Sequence, residues 1–256
     1  MRTSPSGAAL VTGAARRIGR AIACDLAAHG WPVAVHFHRS ADAAGRVVDE
    51  IEANGGRAVA VAADLGDEAD AAALFGRATA AIGPITCLVN NASVFEDDRP
   101  ATVSRASWDL HMQVNLRSPF VLIQALERQL PEGAAGTVIN ILDQRVWNLT
   151  PFFTSYTVSK AALWTLTRTL ALALAPRVRV NAVGPGPTLP SPRQSEEQFA
   201  RQWSAMPLQR SVRPQEICDA VRFILDAPSL TGQMIAVDAG QHLGWSHPST
   251  GAGLDE

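Results

Sequence analysis

Ala8-Ala9-Leu10-Val11-Thr12-Gly13-Ala14-Ala15-Arg16-Arg17-Ile18-Gly19 is a strand-length apolar run that breaks into a glycine-bearing turn. Residues 8–12 read as a buried strand, and the spacing that follows predicts a helix over about 17–29, closed by Gly30 as a C-cap. Gly13 and Gly19 allow a tight turn and a close approach of backbone to a ligand. The unpaired N–H groups at a helix start favour an anion such as a pyrophosphate. The loop is poor in glycine, and Arg17 stands where the second-last glycine of the dinucleotide fingerprint belongs. Its guanidinium either reaches phosphate or substrate or is a solvated helix-end arginine.

The same alternation runs outward along the chain. Further strands are predicted at 32–37, 58–62, 86–90, 136–141, 178–182 and 234–237. Helices are predicted near 41–53, 67–82, 105–129, 153–174 and 214–226, with Asp67 as an N-cap and Gly83-Pro84 as a stop. Parallel neighbours need right-handed crossovers, so repeated strand–helix–strand units imply a parallel sheet covered by helices on both faces. The expectation is one α/β domain over residues 1–256, a doubly wound parallel sheet of about seven strands. Gly184-Pro185-Gly186-Pro187-Thr188-Leu189-Pro190-Ser191-Pro192 follows a strand at the ligand-binding end of such a sheet. With the short helix after it, the segment 187–205 reads as a mobile flap, and the tail 247–256 as disordered.

Of the 256 residues, 47% are hydrophobic and 18% charged, which suits a buried core and argues against disorder. The net charge of −2, without blocks of like charge, points to neither nucleic acid nor an anionic membrane. Three widely spaced cysteines fit a reducing compartment, and no apolar run has the length of a bilayer span. The first seven residues lack the apolar core of a signal peptide, so a cytoplasmic protein is expected. His36, His111 and His242 have no metal-ligand spacing, and no metal site is expected.

The end of the second strand separates two cofactors. An acidic residue there binds the adenine ribose hydroxyls of NAD, whereas an arginine accommodates the 2′-phosphate of NADP. Here the strand ends His36-Phe37-His38-Arg39-Ser40, with no carboxylate before Asp42, so NADPH is expected. Arg39 offers a planar charged fork and Ser40 a hydroxyl. Asp64, followed by Leu65 after the third strand, suits either an adenine-edge contact or a helix-entry cap. Tyr156-Thr157-Val158-Ser159-Lys160 sets the single tyrosine of the chain one helical turn from a lysine. A nearby ammonium is expected to lower the phenol's pKa and ease proton exchange with a substrate.

Together with Asn90-Asn91-Ala92, Arg179 to Gly186 and Val237-Asp238-Ala239-Gly240, these segments resemble the short-chain dehydrogenase/reductase family over about residues 7–241. Ala239 stands where that family usually has glycine. The resemblance implies a Rossmann-type fold and a homotetramer built on the 105–129 and 153–174 helices. It implies that Lys160 holds the nicotinamide ribose and that Asn115 orders a water for proton relay. Gly13, Arg17, Ile18, Gly19, His38, Arg39, Ser40, Asp64, Leu65, Asn91, Ala92, Ser93, Tyr156, Lys160, Pro185 and Gly186 would line the cofactor.

One departure is informative. The family's serine, thirteen positions before the tyrosine, is replaced by Asp143. A carboxylate repels a developing oxyanion but is a good partner for the N–H groups of a nitrogen heterocycle. With Arg17, His38-Arg39-Ser40 and Phe95, Asp143 resembles the pteridine reductase branch. That likeness implies a pterin stacked on Phe95, with Arg17, Ser93, Asp143 and Tyr156 around it. Reduction of a dihydropterin, dihydrofolate or folate is expected, but the side chain at pterin C6 is not legible. A carbonyl reductase of a 3-oxoacyl thioester or small ketone, and a sensor that binds NADPH without turnover, remain alternatives.

Overall fold

A computed structural model describes residues 7–191 and 193–244; the expected disordered tail at 247–256 lies outside the described residues. Seven strands form one parallel sheet: β1 (Ala8–Val11), β2 (Val33–Phe37), β3 (Ala58–Ala62), β4 (Ile85–Asn90), β5 (Gly136–Ile141), β6 (Val178–Pro185) and β7 (Met234–Val237). Their spatial order is β3-β2-β1-β4-β5-β6-β7. The order reverses between β1 and β4, which pair directly, so a crevice opens there beyond the strand ends.

Helices α1 (Arg17–Ala28), α2 (Ala41–Ala53) and α3 (Glu68–Ile82) belong to the first half of the chain. In the second half, α4 (Arg105–Met112), α5 (Ser118–Gln129), α6 (Thr154–Ala173), α7 (Glu196–Ser204) and α8 (Pro214–Asp226) follow. Side chains alternate across a strand, and β1 shows it: Ala9 and Val11 join one core while Ala8 and Leu10 join the other. The first core takes Ile22 and Leu26 of α1, Val47 and Ile51 of α2, and Ile217 and Val221 of α8. The second takes Leu74 and Phe75 of α3, Leu122 and Leu126 of α5, and Leu170 of α6.

Local signals act where they were read. Asp67 caps α3 by accepting from the Asp70 N–H at 3.0 Å, and Gly83, at φ 102°, ends it. Gly30, at φ 87°, ends α1 by donating to the Ala27 carbonyl. Two expectations change. The strand foreseen at 178–182 runs on to Pro185, because Ala182–Pro185 pairs with β7. The single helix foreseen over 105–129 is interrupted by a π-helical turn, Gln113–Arg117. Pro119 has no N–H to give to the carbonyl of Asn115 four residues back, so the α-helical ladder cannot continue there.

Leu10 is fully buried in the central strand. Leu10→Ala is expected to lower unfolding stability by about 2–5 kcal/mol, measured by urea denaturation. A loss within experimental error would show that β1 is not packed on both faces.

Candidate functional site

Beyond the β1/β4 crevice lie two neighbouring cavities. The first, of about 790 Å³, is lined by Gly13, Ile18 and Gly19 of the turn, His38 and Arg39 after β2, and Asp64 and Leu65 after β3. Asn91, Ala92 and Ser93 line it from the β4 side, and Arg17 lies between it and its neighbour. Ser40, next to Arg39, stands at the N-terminal cap position of α2, and its side chain makes no cap bond. The turn is glycine-dependent. A Cβ on Gly19 would lie 2.3 Å from the Gly13 carbonyl oxygen, and Gly13 itself has φ 63°. Helix α1 starts with no side-chain cap, so its first N–H groups face the cleft unclaimed by one.

His36, which sequence reading left without a role, fixes this turn. Its Nδ1 accepts from the Gly13 N–H at 3.0 Å, and its Nε2 faces the Ala63 carbonyl at 3.1 Å. The Ala14 N–H donates to its backbone carbonyl. The ring must therefore be neutral with the proton on Nε2, and burial lowers its pKa to about 4. Asn91 is also committed to the turn, its amide donating to the Thr12 carbonyl at 2.8 Å and the Gly13 carbonyl at 3.2 Å. Asp64 lies 3.3 Å from His38 Nε2 and accepts from the Gly66 N–H.

The second cavity, of about 290 Å³, brings together Arg17, Ser93, Phe95, Asp143, Tyr156 and Lys160, with Pro185 and Gly186 on its wall. β5 ends just before Asp143 and α6 begins just before Tyr156, so two element ends converge. Tyr156 Oη donates to Asp143 Oδ2 at 2.9 Å, and Asp143 Oδ1 accepts from the Arg145 N–H. The side chain of Arg145 also approaches Asp143, at 3.8 Å.

Here the structure corrects one expectation. The phenol of Tyr156 is not made more acidic: burial, then the charge of Asp143, push its pKa well above the ordinary value. Lys160 Nζ donates to the Ile141 carbonyl at 2.8 Å and lies 5.8 Å from the phenol ring. Its own pKa is lowered to about 8 by burial, against the opposing charge of Asp143. Asn115 is buried and lines neither cavity. Its amide oxygen accepts from the N–H of Val94 and the hydroxyl of Ser93, and its amide nitrogen donates to the Val94 carbonyl and to Ser159 Oγ. All four side-chain hydrogen-bonding positions are used, which clamps the 93–94 backbone, while the Asn115 carbonyl receives no N–H from Pro119 four residues on.

Phe95 is placed differently from a lone stacking ring. One of its faces lies on Phe153, with centroids 4.3 Å apart, and it meets the edge of Tyr156 at 4.7 Å. Guanidinium groups of Arg145 and Arg193 approach the Phe95 ring at 5.5 and 5.3 Å. Phe153, Arg145 and Arg193 carry no sequence signal for this role. The segment 187–205 is tied down from two sides. Arg17 donates to the carbonyls of Leu189 and Pro190, and Arg193 donates to the Phe95 carbonyl. Among the described residues, no group of three or more metal-ligating side chains occurs, and no helix is long and apolar enough to cross a membrane.

Residues 13–242 match the family profile described as enoyl-(acyl carrier protein) reductase. The 3-oxoacyl-[acyl-carrier-protein] reductase of Synechocystis sp. is 34% identical over 238 residues, which span 91% of this chain and 95% of that protein. The reductase of the same description from Staphylococcus aureus is 33% identical over 92% of this chain and 98% of its own. Among solved structures, FolM alternative dihydrofolate reductase 1 from Brucella suis, in complex with NADP, is 52% identical. It superposes with a TM-score of 0.92 over 95% of this chain and 98% of that one.

Because His36 must stay neutral to hold Gly13, its folded-state pKa lies below its unfolded value near 6.5. Stability is then fully present above that value and falls as the pH drops towards 4, by roughly 3 kcal/mol from this group. His36→Asn, whose amide oxygen can accept the Gly13 N–H without titrating, is expected to flatten this slope in urea titrations between pH 7 and 4. An unchanged slope would remove His36 as its source.

Proposed function

The chain belongs to the short-chain dehydrogenase/reductase family, and we propose that it reduces a dihydropterin with hydride from NADPH. The observation that carries the reading is the hydrogen bond between Tyr156 and Asp143 inside the aromatic cavity. The cofactor fits the residues present. The glycine turn would be filled by a Cβ, Arg39 stands at the β2 edge of the first cavity, and the N–H groups starting α1 suit a pyrophosphate. The solved relative at 52% identity was crystallised with NADP. When bound, the cofactor supplies hydride.

The chain's own residues supply alignment and a proton. Reducing a C=N bond takes a hydride at carbon and a proton at nitrogen. Tyr156, with its raised pKa, keeps its proton on Oη throughout the neutral range. Asp143 presents acceptor oxygens to the amino and ring N–H groups that a pterin carries. By accepting from Tyr156 Oη, it also holds the phenol that would give its proton to the ring nitrogen as hydride reaches the carbon, the resulting phenolate lying beside the Lys160 ammonium. Lys160, held on the Ile141 carbonyl and lining the cavity, would hold the nicotinamide ribose of the bound cofactor. Phe95, which lines the cavity and is backed by Phe153, offers an aromatic surface for the heterocycle.

The sequence relatives favour a second reading, a 3-oxoacyl thioester reductase. Asp143 opposes it, because a carboxylate beside the reacting carbonyl would repel the oxygen as it gains charge. The 52% identity to a dihydrofolate reductase points the same way.

NADPH oxidation, followed by absorbance, is expected with dihydropterins and not with a 3-oxoacyl thioester; turnover of the thioester alone would overturn the reading. Asp143→Ser is expected to reduce pterin turnover at least tenfold, about the effect of losing one charge-assisted contact. Undiminished turnover would deny Asp143 its role. Arg39→Ala should weaken NADPH roughly tenfold or more while leaving NADH nearly unchanged, from loss of a charge-assisted phosphate contact. Equal losses for both would refute the 2′-phosphate assignment.

A further inference from the structure

Next to the cavity lies a cluster that none of the proposed chemistry uses: buried Asp98, His111 and Ser155, with half-buried Ser107. Asp98 and His111 are 3% and 0% exposed, and Ser155 is 0% exposed. The cluster joins two segments that both bear on the site. The loop 93–98 carries Phe95, and the start of α6 carries Tyr156.

Helix α6 begins without a cap of its own. Phe153, in its N-cap position, sits at φ 56° and makes no side-chain cap bond. Asp98 supplies what is missing: its carboxylate accepts the Ser155 N–H at 3.0 Å, and its backbone carbonyl accepts the Thr154 N–H at 3.1 Å. The same carboxylate accepts from the hydroxyls of Ser155 and Ser107. Ser155 Oγ in turn lies 2.8 Å from His111 Nδ1, which also faces the Ser107 carbonyl at 2.9 Å. At its other end, His111 Nε2 accepts the Glu96 N–H at 3.2 Å.

These partners settle the proton. An Nε2 that accepts must be bare, so Nδ1 carries the hydrogen and gives it to the Ser107 carbonyl and Ser155 Oγ. A continuous path runs from the Glu96 backbone through the imidazole and the Ser155 hydroxyl to the Asp98 carboxylate. It spans the gap between the Phe95 loop and the α6 N-terminus.

We propose that His111, linked through Ser155 to Asp98, is a positioning residue that fixes the Phe95 loop relative to Tyr156 and so sets the width of the substrate slot. The role goes beyond the pterin reading in its geometry and rests on it only for the choice of substrate.

Two variants separate the ends of the imidazole. Asparagine places an amide nitrogen where Nδ1 lies but cannot reach Glu96. Glutamine reaches the position of Nε2 and presents an oxygen to the Glu96 N–H. In hydrogen-exchange mass spectrometry on the full chain with NADPH, His111→Asn is expected to speed exchange in the 93–98 segment about tenfold, and His111→Gln to restore protection. In turnover, His111→Asn should raise the KM for a dihydropterin about tenfold while NADPH affinity stays within about twofold, and His111→Gln should recover most of it.

Wild-type exchange in both variants would overturn the proposal. So would equal loss of protection in both with a common fall in Tm, or a parallel loss of NADPH affinity, since either reports packing alone. If the wild-type protein turns over no dihydropterin, the substrate reading fails, while the exchange comparison still decides the role of His111.

Discussion

Parallel strands cannot be joined by a tight turn, and the rest of this molecule follows from that constraint. Each strand must be followed by a crossover, and the C-terminal ends of all seven lie along one edge of the sheet. At the reversal of order, the loops after β1 and β4 part and leave a crevice. Thr12 stitches its floor: its hydroxyl accepts from the N–H groups of Asn91 and Ala92 at 2.9 and 3.0 Å. The glycine turn and the start of the loop after β4 are thereby held as one wall.

Around the crevice the electrostatics are governed by burial more than by neighbouring charge. Tyr156, Lys160 and His36 are all displaced towards their neutral forms, with removal from water as the leading cause in each. Asp143 then acts in the same sense on both neighbours, raising each pKa: it holds the proton on Tyr156 and partly sustains the charge on Lys160. A neutral phenol beside a carboxylate acceptor is suited to a substrate that brings its own N–H donors. It is poorly suited to one that develops an oxyanion.

Two buried histidines and a buried asparagine carry much of the precision. His36 holds Gly13, His111 holds Glu96, and Asn115 holds Val94, each through a backbone group of a loop that lacks regular partners. Buried loop backbone needs such partners, since an unmatched N–H costs as much as a lost hydrogen bond. The π-helical turn at Gln113–Arg117 belongs to the same arrangement, because it sets Asn115 against both the 93–94 backbone and Ser159 of α6.

The sequence by itself determined the strand–helix alternation, most element limits, the caps at Asp67 and Gly30, and the residues gathered at the crevice. These follow from periodicity and from backbone preferences, which act over a few residues. Asp143, Tyr156 and Phe95 stood out as candidates because of their types and spacings, and the fold brings all three to one cavity. Only the tertiary structure decided the π-turn, the extension of β6 by its pairing with β7, and the pairing of Phe95 with Phe153. It also decided the direction of the Tyr156 shift and the contacts of His36, His111 and Arg193. A pKa depends on the solvent lost and the charges met in space, and a hydrogen bond between Glu96 and His111 spans fifteen residues of chain. Neither quantity is written in any local run of residues, so both appear only once the sheet has brought distant segments together.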